Sequence, residues 1–324
     1  MKKILQQWVP WIVVVLVFYL LFQKIPPSEI FETFSYVRLG PFIFYSLVYF
    51  LLMLVFDVVS LEWIFRRFVT HVGFVETLYM RGATYLLMLL NYNLAQGGMA
   101  LYLRKTHQAP TFQTLGAIFL TGVVDLTLVF SFSFVAIFYG DVVYRGVSLR
   151  PFILNFGAVF YALVCMWFLF WFCHNTLFVK KLTRKWGLFQ WVLNKKLFIA
   201  FREMEVRDLF MVMLLRLPLT LTIMFSVPFI LHAFQSSVSF HHIFTYIPVV
   251  MFVGTLPITP AGMGTGQALM VDFFKGSLVG PAGLTAEQIL FSSSLIWAFV
   301  NLVLKSIFGA YCLHKKSRHL FMPN

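Results

Sequence analysis

Charge is scarce in this 324-residue chain: Asp, Glu, Lys and Arg together make up 11% and hydrophobic residues 60%, against about 25% and 45–50% in soluble domains. A water-soluble fold needs charged surface to stay dispersed, so a soluble catalytic domain is excluded as the bulk of the chain. Acidic residues are the rarer sign, with 12 Asp and Glu against 25 Lys and Arg, a formal charge of +13. That excess would suit nucleic acid if it lined one amphipathic face. Here the basic residues sit at the ends of apolar runs, so no nucleic-acid partner is expected. Cysteine is rarer still. Cys165, Cys173 and Cys312 fall inside apolar segments without a C-x-x-C pair, which leaves neither a zinc motif nor a disulfide framework. His241-His242 has no Cys, Asp or Glu at ligand spacing, and metalloprotease, hydrolase-elbow, P-loop and dinucleotide fingerprints are missing. No metal, no cofactor and no enzymatic role are therefore expected.

What the chain has in abundance is apolar runs. A helix needs roughly 20 apolar residues to cross the ~30 Å hydrocarbon core, and runs of that order occupy residues 4–22, 41–65, 111–139, 151–173, 209–233 and 286–313. The first resembles a signal peptide, but it leads into Gln23-Lys24-Ile25-Pro26-Pro27 without a small-x-small site, so retention is expected. Two further apolar stretches are interrupted: residues 82–103 at 91–98, and residues 243–274 at 256–264. Each leg is about half a membrane long by helical rise. Broken backbone at membrane depth is tolerated only where protein or a water-filled cavity satisfies it.

Basic residues mark cytoplasmic flanks. Lys2/Lys3, Arg66/Arg67/Arg81, Arg104/Lys105, the stretch 180–207 and Lys315/Lys316/Arg318 fall on one side if the N-terminus is inside, while 232–242 and 276–288 carry no Lys or Arg. Both termini are then cytoplasmic, in a plasma membrane. Consistency requires 82–103 to enter and leave from the cytoplasm and 243–274 to do the same from outside. The expected fold is an all-α polytopic membrane protein: a single integral domain over 1–324, about six full spans and two re-entrant broken hairpins. Residues 41–139 and 209–313 form two units of an inverted repeat, joined by a basic connector at 175–208 that reads as amphipathic and membrane-lying. Eight ordinary spans are the alternative.

Ionisable residues within spans are costly and so are functional candidates. Asp57, Glu62, Asp125, Arg216, Asp272 and Lys305 qualify, and a structural Asp125–Arg216 pair competes with a transport role. Glycine breaks bring backbone N–H groups and half-helix N-termini toward a ligand and attract anions. Gly97, Gly98, Gly262 and Gly264 are candidates to receive a phosphate. Asn91, Asn93, Gln96, Thr259 and Gln267 are candidates to supply neutral hydrogen bonds, with Arg104 and Arg216 as countercharges. Close helix packing is the competing use of such glycines.

The run Leu256-Pro257-Ile258-Thr259-Pro260-Ala261-Gly262-Met263-Gly264-Thr265-Gly266-Gln267 resembles the L-P-x-x-P-G-G-x-G-x-x-E motif of the lysylphosphatidylglycerol synthase transmembrane-region family. Residues 91–104 resemble that family's earlier N-x-x-x-P-x-x-x-G-E-x-x-x-R-like stretch, followed by a span with a central acid, here Asp125. Ala95 stands in place of Pro, Ala100 in place of Glu and Gln267 in place of Glu, the marks of a divergent member. The resemblance implies a flippase-like domain handling lipids, with Pro257 and Pro260 of the second break among the headgroup-binding residues. An anionic or lipid-linked substrate follows, as does a partner enzyme that makes the lipid. Two other classes stay open: an intramembrane enzyme acting on a lipid-linked donor, and a non-transporting partner subunit.

Overall fold

A computed structural model describes residues 27–90, 92–144, 146–173, 195–255 and 264–321. Over them the chain forms eleven α-helices: α1 Pro27–Ser35, α2 Leu39–Phe68, α3 Phe74–Leu90, α4 Tyr92–His107, α5 Thr111–Tyr139, α6 Arg150–Cys173, α7 Ile199–Glu203, α8 Val206–Ala233, α9 Phe240–Thr255, α10 Thr265–Phe274 and α11 Ala286–Phe321. Five of them (α2, α5, α6, α8 and α11) are long and apolar enough to cross a membrane. They cover five of the six expected spans, and residues 4–22 lie outside the described residues. Apolar side chains in these helices remain exposed, among them Phe44, Leu51, Phe152 and Leu163. Outward apolar surface on a long helix is what lipid, and not water, accommodates. The protein is thus an all-α, membrane-spanning fold.

One departure from pure helix lies in the 140–150 loop, where β1 Val143–Tyr144 pairs antiparallel with β2 Val147–Ser148. Gly146 supplies the turn with φ of 80°, a conformation that costs a glycine little.

The described chain repeats one order of helix lengths. Long α2, short α3, short α4 and long α5 are followed later by long α8, short α9, short α10 and long α11. At 17 and 16 residues, α3 and α4 are about 25 Å long, short of a full crossing. They pair in opposite senses, since Glu76 near the start of α3 accepts a hydrogen bond from Tyr102 near the end of α4 at 3.0 Å. A Cβ on Gly98 would press Leu87 Cδ1 at 2.6 Å. Residue 91 lies outside the described residues, and Asn93 to Gly98 are helical, whereas the whole stretch 91–98 was expected to be irregular. Two glycines in sequence cost a helix about 2 kcal/mol at most. Packing against α3 at Gly98 supplies the reason for one of them.

Two compact units make up the fold, and the boundary between them falls within each of the five long helices. The first comprises Met1–Leu51, Val129–Gly157 and Leu221–Leu302; the second comprises Leu52–Leu128, Ala158–Thr220 and Val303–Asn324. In the first unit Ile247 and Val249 of α9, Phe273 and Phe274 of α10, and Leu290 and Phe291 of α11 form one buried cluster. Phe42, Phe234 and Ile289 form another. In the second unit, Ile64 and Phe68 of α2 pack with Leu120 and Val124 of α5, Trp171 of α6 and Phe201 of α7.

Residues 195–208 belong to the expected connector. Their aromatic side chains pack on protein: Phe198 stacks on Trp171 with ring centroids 5.5 Å apart, and Phe201 meets Trp167 edge-on at 5.6 Å. The rest of the connector, 175–194, is outside the described residues. Gly116 of α5 makes this packing possible, because a Cβ there would overlap the Leu197 carbonyl oxygen. Gly122, two turns on, faces open space. Gly116→Ala should therefore lower the melting temperature in detergent by several degrees, and Gly122→Ala should leave it unchanged or raise it. Equal melting temperatures for the two variants would show that the Leu197 turn yields freely.

Candidate functional site

Two sites emerge, one in each unit. In the second, four helices bring their charges together. Asp57 and Ser60 lie one turn apart on one face of α2, Arg81 comes from α3, Asp125 from α5 and Arg216 from α8. Arg216 is the hub. Its Nε donates to Asp125 Oδ1 at 2.6 Å and its Nη2 to Asp125 Oδ2, a bidentate fork. Its Nη1 donates to Asp57 Oδ1 at 2.6 Å and to Ser60 Oγ at 3.0 Å. Asp57 spends its other oxygen on Arg81, whose Nε donates to Oδ2 at 2.5 Å. The guanidinium fork suits this task, since it presents N–H groups in one plane to two carboxylates at once.

Asp57, Arg81 and Arg216 are buried, and the Asp125 side chain keeps 28% exposure. Arg81 was expected at a cytoplasmic flank. It is buried and committed to Asp57, since an unpaired carboxylate inside a span is costly. Lys305 of α11 stands 5.9 Å from the Tyr85 ring centroid. Asp272 belongs elsewhere. It lies in the first unit, 3.9 Å from Lys275, which also reaches Glu287 at 3.1 Å. Arg104 is exposed near the end of α4.

In the first unit, a cavity of about 340 Å³ is bordered by α2, α8, α9, α10 and α11, within the range of small-molecule sites. Among the described residues its wall is apolar apart from Tyr49, Ser226, Gln267, Ser293, Ser294 and Trp297, and none of these lining residues is acidic, basic or a histidine. The three serines donate to carbonyls of their own helices, Ile223, Leu290 and Phe291 respectively. Their remaining lone pairs make that side of the wall hydrogen-bond accepting.

The start of α10 is organised by its own side chain. Gly264 holds φ of 83°, and its N–H donates to Gln267 Oε1 at 2.7 Å. Gln267 is 8% exposed. It was expected to meet a headgroup; its carbonyl is spent on capping the helix, and the residue borders the cavity. A neutral residue keeps the acceptor that the cap requires and leaves the apolar wall uncharged. Gly266 also borders the cavity, and a Cβ there would meet nothing within 4 Å.

Of the other expected headgroup residues, Asn93 is exposed, and Gln96, Gly97 and Gly98 are half-buried within α4. Asn91, Pro257, Thr259, Pro260 and Gly262 lie outside the described residues. Ser60, Arg81 and Tyr85 were not among the expected site residues. Ser60 had a readable signal in its i+3 spacing from Asp57, whereas Arg81 and Tyr85 had none.

These features, an all-helical membrane fold with charge paired inside its spans, have a counterpart among known families. The model of the lysylphosphatidylglycerol synthase TM region matches residues 7–309. The chain belongs to this family. The match takes in all five long apolar helices except the end of α11, and it is to a membrane region, not to a catalytic domain. No curated protein and no solved structure matches the chain. Among the described residues of this family member, no group of His, Cys, Asp or Glu is placed to hold a metal ion.

The Arg216 hub predicts non-additive losses. Arg216→Gln leaves two carboxylates facing each other and should destabilise the protein by about 3–5 kcal/mol. Asp125→Asn, at a more exposed position, should cost less. The double variant should lose less than the sum of the two, as read by denaturant unfolding in detergent. Additive losses would show that the fork contributes no coupling.

Proposed function

We propose that this family member is a membrane lipid translocase, moving a phospholipid or polyprenyl-phosphate-linked lipid between leaflets. The observation that carries the reading is the cavity beside the start of α10. An apolar wall of this size takes hydrocarbon, and its accepting serines and the Gln267 amide offer hydrogen bonds to a polar group carried with it. A wall whose described residues include no acid or base side chain is suited to holding and passing a ligand rather than to proton transfer. That role agrees with a family match confined to a membrane region.

On this reading α2–α5 and α8–α11 are the two units of an inverted repeat, and the α3–α4 and α9–α10 pairs are its re-entrant hairpins. Discontinuous helices of this sort border substrate sites in transporters built from inverted repeats, and alternating access follows from rocking of one repeat against the other. Gly264 and Gln267, at the start of α10, are the residues assigned to headgroup contact in this cavity. Both termini lie in the cytoplasm of a plasma-membrane protein, and an enzyme that makes the lipid is the expected partner.

Two measurements test the reading. Cysteines replacing Gly73, before α3, and Lys105, near the end of α4, should both react with an impermeant reagent only from the cytoplasmic face; reaction from opposite faces would rule out the re-entrant hairpin. Gly266→Leu should project into the cavity, since a Cβ at that glycine meets no atom within 4 Å. The variant should keep its melting temperature and lose at least about tenfold in labelled-lipid translocation by proteoliposomes, a barrier change of about 1.4 kcal/mol. A well-folded variant that moves every tested lipid at the wild-type rate would remove the cavity from the mechanism.

A further inference from the structure

The linked charges around Arg216 balance, with Arg81 and Arg216 against Asp57 and Asp125. Lys305 adds a third cation to these two carboxylates. It feels the attraction of Asp57 and the repulsion of Arg81, yet among the described residues no carboxylate lies within ion-pair distance of its ammonium, which stands 5.9 Å from the centroid of the buried Tyr85 ring. The same ring carries the Arg81 guanidinium carbon 5.4 Å from its centroid. Two cations therefore share one aromatic side chain. The quadrupole of a ring attracts each of them but neutralises neither.

Backbone packing holds this arrangement in place. A Cβ on Gly309 would stand 3.0 Å from the Gly82 carbonyl oxygen and 3.1 Å from Leu86 Cγ, and one on Gly82 would run into Cys312 and Phe308. The two glycines let α3 and α11 approach closely. Arg81 is the residue before Gly82, and Lys305 lies one turn before Gly309, so the contact fixes both cations beside Tyr85. Nor can Lys305 reach the end of its helix. The span ends at Lys315, ten residues on and so about 15 Å away by helical rise, farther than a lysine side chain can snorkel.

We propose that Lys305, Arg81 and Tyr85 form an anion site that takes a phosphate group. An ammonium acts on a phosphate as a point charge, and a guanidinium beside it adds directed N–H groups. The bound anion would bring the local charge to neutrality within a span, where an uncompensated cation is costly. The site rests on the translocase reading only for its natural source of phosphate, a lipid headgroup. Binding itself is measured without transport, so a failed translocation assay would leave the site standing.

The test uses the full-length protein in phosphatidylcholine nanodiscs. Melting temperature and retained lipid by native mass spectrometry are followed as phosphatidylglycerol, oleate or inorganic phosphate is added. Wild type and Lys305→Arg should be stabilised by several degrees by phosphatidylglycerol, and Lys305→Gln should need at least tenfold more of it for the same shift. In pure phosphatidylcholine, Lys305→Gln should melt at or above wild type, because a repelled cation has been removed. Stabilisation by phosphatidylglycerol alone assigns a lipid source, and an equal effect of inorganic phosphate assigns a free one; either supports the site. The proposal is overturned if Lys305→Gln responds as wild type does. An oleate shift matching that of phosphatidylglycerol would also overturn it, by showing an effect of bulk negative charge. So would a Lys305→Gln variant that melts well below wild type in phosphatidylcholine, which would make the lysine a structural element only.

Discussion

The positive charge of Arg216 inside a spanning helix is the constraint on which the second unit depends. A guanidinium cannot be discharged by losing its proton, so once it is placed in a span the surroundings must supply anions. Asp125 supplies two oxygens and Asp57 one. The demand then passes outward, because Asp57 has a second oxygen to satisfy and takes Arg81 for it. One residue type at one position thus dictates what α2, α3 and α5 must offer. Satisfied in full, such a network defines a unique arrangement of helices; broken at one member, it leaves a buried charge behind.

Glycine does for the backbone what the ion network does for the side chains. Gly82 and Gly309 bring α3 against α11, Gly98 lets α4 meet α3, and Gly116 admits the Leu197 turn against α5. In lipid, helices gain nothing from hiding apolar surface from water, and close van der Waals contact takes over that role. Gly264 is used differently. Its positive φ turns the chain into α10, and the Gln267 side chain secures that turn. The division between packing glycines and a turning glycine follows from what surrounds each one.

Much of this fold could be read in one dimension. Length and continuity of apolar runs are local properties, and the bilayer core sets a length they must meet, so the spans at 41–65, 111–139, 151–173, 209–233 and 286–313 correspond to α2, α5, α6, α8 and α11. The motif at 256–267 and its upstream companion were sufficient to indicate the family. Less could be read at the breaks. Residues 93–98 continue as helix because glycine in a helix packed against a neighbour costs little, and composition cannot report the neighbour. Arg81 likewise reads as a flank charge next to an apolar run; its commitment to Asp57, 24 residues away in sequence, is invisible to any window of local composition.

The sequence by itself determined that this protein lives in a membrane, which segments are long and apolar enough to cross it and which family it belongs to, because hydrophobic length and motif spacing act within a few turns of helix. Tertiary structure alone decided how its charges are spent. Asp125 and Arg216 are 91 residues apart, and Asp57 and Arg216 are 159 apart; only packing reveals that one guanidinium serves both carboxylates and leaves Lys305 over. Coulombic attraction and close contact depend on distance in space, and distance along the chain does not encode it.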